Sequence, residues 1–423
     1  MIDLQRITTS RNALTLASVP HGFAPLLLAD LARAAKARTL YIAPDEAAMR
    51  AIADAVPFFA PELEILVLPG WDCLPYDRAS PSVAVTSQRM STLQALQQPA
   101  KKKQLVVTTI GAVIQKYVTP FRIRQTGERL AAGREISRER LASLLQSNGY
   151  FRVDTVADAG EFAIRGSIVD LFPAGSEVGL RLDFFGDEIE SIRRFNPSDQ
   201  RSIDQVEHFD ILPAVEALMD EDAIKRFRVG YRERFGVTAT GDPLYQAVSE
   251  GRRLSGMDHW LPLFEERMAT IFDHVGADAL VIRDSGSIAA GQSRLDSITD
   301  YHENRVKAQA AEPGSYRPLP PEMLYLSSGE LDQLFDDNAA HLITPFAQPG
   351  SASVIDFGIA AARDFAPERT QKANVYEAVA AHLKSLHSKK TKTIIASYSI
   401  GARERLKGLL TDHGAPSIVD ADG

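Results

Sequence analysis

Across its first 120 residues the chain alternates strand-like and helix-like segments at short intervals, and this limits the fold more than any other feature. "ALTLASV" is β-like, and "FAPLLLADLARAAKA" carries apolar residues at helical spacing. "TLYIAP" is β-like again, and Asp45 in "DEAAMRAIADAV" stands where an N-cap opens a second helix. "LEILVLPG", "SVAVTSQRMSTLQALQ", "QLVVTTI" and "GAVIQKYV" continue as strand, helix, strand and helix start. Such an order predicts βαβ units with right-handed crossovers, built on a parallel sheet buried on both faces.

Near residue 125 the pattern changes. "GREISRERLASLLQSNGYFRVDTV" reads as a capped helix followed by strand, and short strands with glycine and "NPSD" turns dominate to about residue 212. This predicts a separate α+β, strand-rich module. Helical periodicity returns after "ILPAVEAL", "DALVIRDSGS" reads as another buried strand, and residues 303–322, charged and containing prolines, read as a long connection. From about residue 353, "ANVYEAVAAHLKSLHS", "KTIIASYS" and "GARERLKGLLTDHG" read as helix, strand and helix of another small α/β piece. "SIVDADG" leaves too little chain for a sheet of its own kind, so a fragment cut at a domain boundary is expected. A chain of 423 residues exceeds one ordinary core, which fits two to four domains.

Composition excludes several functional classes. The net charge of −8 argues against a main surface that wraps DNA or anionic lipid. Cys73 is the one cysteine, which excludes an intrachain disulfide and a multi-cysteine metal site. No run of about 18 apolar residues is present to span a bilayer, and the first twenty residues lack the marks of a secretory signal. A cytoplasmic location is expected.

Motifs for chemistry are missing where an α/β fold would hold them. The first strand-to-helix junction, "ASVPHGFAPLLL", offers Gly22 but neither the Lys nor the hydroxyl of a phosphate-cradling loop. A strand-end acidic pair that would hold Mg²⁺ is reduced to Asp284 followed by Ser285, so Asp284 reads as a turn or cap residue. No H-E-x-x-H or G-x-S-x-G occurs. No catalytic, metal-binding or cofactor-binding residue is expected.

The stretch "GEFAIRGSIVDLFPAGSEVGLRLDFFGDEIESIRRF" poses a different question. Gly186-Asp187 is a hairpin signal, and side chains alternate along the strand before it. Leu180, Leu182 and Phe184 share the core face, which leaves Arg181, Asp183 and Phe185 outside. In "EFAIRGS", Phe162 and Ile164 face the core while Arg165 and Ser167 face out, with Gly166 expected to allow a bulge. A phenylalanine beside two arginines on an outer face is either an interaction hot spot or surface covered by a neighbouring hairpin or domain. Alternation leaves both readings open.

These residues resemble a known family. "LPGWDCLPYDRASPSVAVTSQRMSTL", "GYFRVDTVADAGEFAIRGSIVDLFPAGSE", "RLDFFGDEIESIRRF" and "GRRLSGMDHWLPLF" are similar to the N-terminal region of the bacterial transcription-repair coupling factors (Mfd). The middle block is shared with the excision-repair helicase UvrB. The resemblance covers essentially the whole chain. It implies an α/β multidomain fold: a helicase-like parallel α/β body with a degenerate P-loop, an inserted α+β, strand-rich domain, and a small C-terminal α/β domain. The implied divisions are 1–126 for domain 1a, 127–212 for domain 2, 213–349 for domain 1b and 350–423 for domain 3.

The resemblance also implies a role. Such a region mimics UvrB without its ATPase and recruits UvrA to stalled RNA polymerase in transcription-coupled nucleotide-excision repair. Carried over by position, it makes Arg165, Arg181 and Phe185 the UvrA contacts. RNA polymerase, DNA, ATP and Mg would be handled by absent C-terminal domains, one of which masks the UvrA surface in the full-length protein. UvrB's DNA-clamping hairpin has no counterpart in "PYDRASPSVAVTSQ", which is short and not aromatic-rich. The competing readings are a nucleotide-binding helicase-like protein and a UvrB-like DNA damage-binding protein.

Overall fold

The computed structural model describes residues 4–236, 241–311 and 316–420. The chain forms two compact units, Met1–Ile359 and Ala360–Gly423. The first is built on a seven-stranded sheet in the order Val354–Asp356, Thr15–Ala17, His341–Ile343, Leu280–Asp284, Thr39–Ala43, Gln104–Thr109, Glu64–Leu68. Every neighbouring pair in it is parallel. The central strands Thr39–Ala43 and Gln104–Thr109 are buried at every position, because helices cover both faces. Period-two alternation sends Leu40, Ile42 and Val106 into one core and Tyr41, Leu105 and Val107 into the other. Asp45 caps the helix Glu46–Phe59 by accepting from the Ala48 N–H at 2.8 Å.

Strands Leu280–Asp284 and His341–Ile343 insert between Thr15–Ala17 and Thr39–Ala43. Segments far apart in sequence thus complete one body around the strand-rich module between them. That module is a six-stranded sheet ordered Ser202–Val206, Glu188–Phe195, Gly179–Phe185, Ile168–Leu171, Glu161–Arg165, Phe151–Arg152. The helix Arg138–Ser147 packs Leu141 and Leu145 against its inner face. Entrance and exit strands, Glu128–Ala131 and His208–Ile211, pair antiparallel, which brings the two ends together, as an inserted domain requires. The α/β multidomain fold expected from the sequence is the fold observed.

Between body and module lies the helix Val83–Leu96. Body and module cover most of its circumference: Thr86, Ser87, Arg89, Met90, Thr92, Leu93 and Leu96 are buried along it, while Ala84 and Gln88 stay exposed. The Thr86 hydroxyl donates to the Ala214 carbonyl at 2.6 Å. Arg89 meets Glu216 through Nε to Oε1 at 2.6 Å and Nη2 to Oε2 at 3.0 Å, both groups fully buried. Trp71 Nε1 donates to the same Glu216 Oε1 at 2.7 Å, and the Arg89 guanidinium lies 4.7 Å from the Tyr117 ring centre. Burial pulls the Arg89 pKa down, but Glu216 and Tyr117 outweigh it and leave it raised. The "PGWD" motif is therefore a joint, fastening the exit of the module to the body.

Four expectations change. Residues 303–322 are not a loose connection: the helix Gly286–Ala311 runs through their first half, residues 312–315 lie outside the described residues, and Leu319 is buried. Of that helix only Ser287, Gly291 and Ile298 are buried, so its apolar periodicity is faint in the sequence. The last piece was expected from residue 350, but Val354–Asp356 pairs with Thr15–Ala17 in the body's sheet. In the second unit, "KTIIASYS" forms no strand, and Ile394 is 78% exposed. A strand needs a partner to satisfy its backbone, and that unit's described elements are the helices Ala366–Thr370, Val375–Ser388 and Ile400–Asp412. The fourth change concerns Gly166, which is no bulge. Arg165 pairs with Ile168, so Gly166-Ser167 is a two-residue hairpin turn with Gly166 at φ +62°.

Candidate functional site

The sheet of the strand-rich module has two unlike faces. Leu180, Leu182 and Phe184 are buried in the inner core with Phe162, Val169, Leu171, Ile189 and Ile192, as alternation along the strand requires. The outer face carries charge in register. Ala163 pairs with Asp170, Asp170 with Arg181, and Arg181 with Arg193 across four strands. One step along, Arg165 pairs with Ile168, Ile168 with Asp183, and Asp183 with Ser191.

Two carboxylates organise this face. Asp170 has no exposed side-chain surface, and it accepts from Arg181 Nε at 2.7 Å, from Arg181 Nη2 at 3.0 Å and from Arg165 Nη2. Its hydrogen bond, more than the burial that opposes it, holds the Arg181 guanidinium above its usual pKa. Asp183 accepts from Ser191 Oγ at 2.9 Å and from Arg193 Nε and Nη2 at 3.0 and 2.7 Å. Arginines directly opposite each other would repel, but an acid beside each one offsets that repulsion.

One end of the outer face is closed. Phe195 lies over Gly179, where a Cβ would come within 2.4 Å of the ring, and it forms a small core with Val156 and Ala163. The Arg181 guanidinium stacks 4.9 Å from the Phe195 ring centre, so only 17% of its side chain is exposed. The other end is open. Phe185 is 79% exposed at the tip of the hairpin, immediately before Gly186 at φ +62°. Arg165, on the neighbouring hairpin, keeps 48% of its side chain exposed.

The three residues singled out by alternation thus lie on one face in unequal settings. Phe185 and Arg165 are at the surface. Arg181 is largely covered and neutralises a buried acid, so an acid in its place would face Asp170. Sequence reasoning missed Asp170 and Arg193 as members of the face. The signal existed for Asp170, since it alternates with the buried Val169 and Leu171.

Comparison with known proteins places this region. The UvrB interaction domain family matches residues 129–216, the strand-rich module and its exit into the joint. The transcription-repair-coupling factor of Escherichia coli is 34% identical over 314 residues, covering 74% of this chain and 26% of that protein. Those of Haemophilus influenzae and Myxococcus xanthus are 31% and 32% identical, over 75% and 73% of this chain. The chain is a homologue of part of the transcription-repair-coupling factors. It spans about a quarter of the length of these relatives, 26 to 27%.

The first strand-to-helix junction of the parallel body, between Thr15–Ala17 and the helix Ala24–Ala34, is where an α/β fold holds a phosphate. There Phe23 and Ala24 N–H donate to the Pro20 carbonyl at 2.8 and 3.1 Å, and Val19 N–H donates to Thr344 O at 2.9 Å, so these backbone donors are engaged. Pro25 has no N–H to offer, and the Phe23 ring packs on Phe357 at 5.7 Å. Asp284 accepts from the Gly286 N–H at 2.7 Å, which makes it a cap at the start of the helix Gly286–Ala311. Among the described residues no cluster of His, Cys, Asp and Glu is arranged to hold a metal, and no helix is long and apolar enough to cross a membrane.

Proposed function

We propose that the open end of the outer face, Arg165 and Phe185 supported by Arg181, is a docking surface for UvrA, and that this chain is the recruiting portion of a transcription-repair coupling factor. The observation that carries the reading is a nearly fully exposed phenylalanine, held at a hairpin tip beside a half-exposed arginine, inside the segment that matches the UvrB interaction domain. An aromatic and an arginine on a rigid sheet lose little freedom on binding, and such side chains dominate interface energetics.

In this reading the chain is non-catalytic and needs no cofactor. The occupied N–H groups and missing Lys at the phosphate junction support that, and disfavour a nucleotide-binding role. The loop 69–82, where a DNA-clamping hairpin would sit, contains no strand, and the net charge is −8, which disfavours a direct DNA damage binder. RNA polymerase, DNA, ATP and Mg are assigned to other portions of the coupling factors, and so is the domain that masks the UvrA surface.

The test is capture of purified UvrA by the immobilised chain. Retention of UvrA by the wild type and its loss in an Arg165→Glu, Phe185→Ala double variant is expected. Equal retention by both proteins would move the docking surface elsewhere.

A further inference from the structure

Of the charged groups on the outer face, Asp170 is the one with nothing to show a partner. Its side chain has no solvent exposure, yet it stands between two of the three residues assigned to docking. Arg181 grips both of its oxygens, and Arg165 reaches across the hairpin to Oδ2. Arg165 has one further fixed contact of consequence, the backbone pairing of its own strand with Ile168. Without a carboxylate at 170, a half-exposed arginine side chain would sample many rotamers, and binding would have to order it.

Resting on the docking reading above, we infer that Asp170 is a positioning residue: a buried carboxylate that fixes the Arg165 and Arg181 guanidinium groups in the orientation the partner meets. The chemistry favours this role. A carboxylate with two oxygens accepts a forked pair from Arg181 and still takes a bond from Arg165, which a neutral amide cannot match. Burial keeps water from competing for those oxygens, and the sheet register fixes where the carboxylate stands. With one negative charge spread over two arginines, the cluster keeps a net positive charge, so an acidic group on UvrA is the complement it fits. The neighbouring Asp183 serves Arg193 and Ser191 and cannot substitute for it.

The test is a double-mutant cycle on UvrA binding, with thermal melts of every variant. Titrations of the full chain compare wild type, Asp170→Asn, Arg165→Gln and the double variant. Asp170→Asn is expected to weaken UvrA binding at least about tenfold, as loss of an ordered charged contact does. In the Arg165→Gln background the same change is expected to cost at least threefold less in affinity, with Tm falling in both backgrounds because Arg181 is left unpaired in each. A purely structural Asp170 would give equal affinity penalties in the two backgrounds, and that result overturns the inference. Unaltered binding by Asp170→Asn overturns it too. If Asp170→Asn does not fold, Asp170→Asn with Arg181→Gln removes the uncompensated charge. It is expected to bind several-fold more weakly than Arg181→Gln alone, and equality between them counts against positioning. A wild-type chain that does not bind UvrA sinks the docking reading itself, and this inference with it.

Discussion

Glu216 and Asp170 are both buried carboxylates gripped by arginine, yet one fastens the molecule together and the other serves its surface. Glu216 takes Arg89 and Trp71 from the body and leaves nothing of either charge in solvent. Asp170 takes Arg181 and Arg165, and the second of these remains half exposed. The same ion pair chemistry produces opposite results because of where the arginine backbone runs. Arg89 is on a helix covered from both sides, whereas Arg165 ends a strand at an open hairpin. Burying both partners fixes geometry at a desolvation cost, and leaving one partly hydrated keeps it available for a new neighbour.

This difference has measurable consequences, the largest at the joint. Arg89→Ala strands Glu216 in an apolar interior and is expected to cost about 3 to 5 kcal/mol, read as a fall in Tm. If Arg89→Ala unfolds no more easily than wild type, the joint holds nothing. The corresponding change at the open end, Arg165→Ala, is expected to stay within about 1 kcal/mol, because that pair is partly solvated.

Acid should reach the joint next. His259 lies edge-on to Trp71 with ring centres 5.6 Å apart, and burial pushes its pKa down to about 4. His274, whose Nε2 lies 2.9 Å from the Val118 carbonyl, is likewise pushed down to about 4 by burial. Unfolding frees both to titrate near pH 6.5, so the unfolded state binds more protons below that pH. Their contribution is therefore fully present above about pH 6.5 and drains away as pH falls to about 4, at a cost on the order of 3 kcal/mol for each ring. Denaturant titrations at pH 7 and pH 4.5 measure it, and His259→Phe should flatten the slope. A slope untouched by that change would assign the acid sensitivity elsewhere.

Phe185→Ala is expected to reverse the order of effects seen at the joint. It should weaken UvrA binding about tenfold while stability moves by less than about 0.5 kcal/mol, since an exposed ring contributes little to the core. Calorimetric titration alongside a melt checks both halves. A large loss of Tm would mean that the ring is packed, and the open end would then be structural like the joint.

The smallest expected effect is at the phosphate junction of the body, where saturating Mg-ATP should leave Tm in place. A ligand at about 100 times its Kd would add about 2.7 kcal/mol, easily seen in a melt. A clear rise would show that the body keeps a second surface that the hydrogen-bond pattern conceals.

Local pattern carried far in this protein. Alternation put Leu180, Leu182 and Phe184 inside and left Phe185 and Arg165 outside, because side-chain direction in a strand depends only on position along it. Strand-helix rhythm likewise announced the parallel body. What it could not carry was partnership between distant residues. That Asp170 would sink between Arg165 and Arg181 follows from three strands meeting in one register, and no stretch of the chain encodes such a meeting locally. The helix Gly286–Ala311 hid for a related reason: it buries only three positions in 26, so its apolar stripe was too thin to read. "KTIIASYS" failed in the opposite sense, with strand propensity but no neighbour to pair with among the described residues of its unit. Direction and propensity are properties of a segment, whereas burial of charge and pairing of strands are properties of what the fold brings beside it.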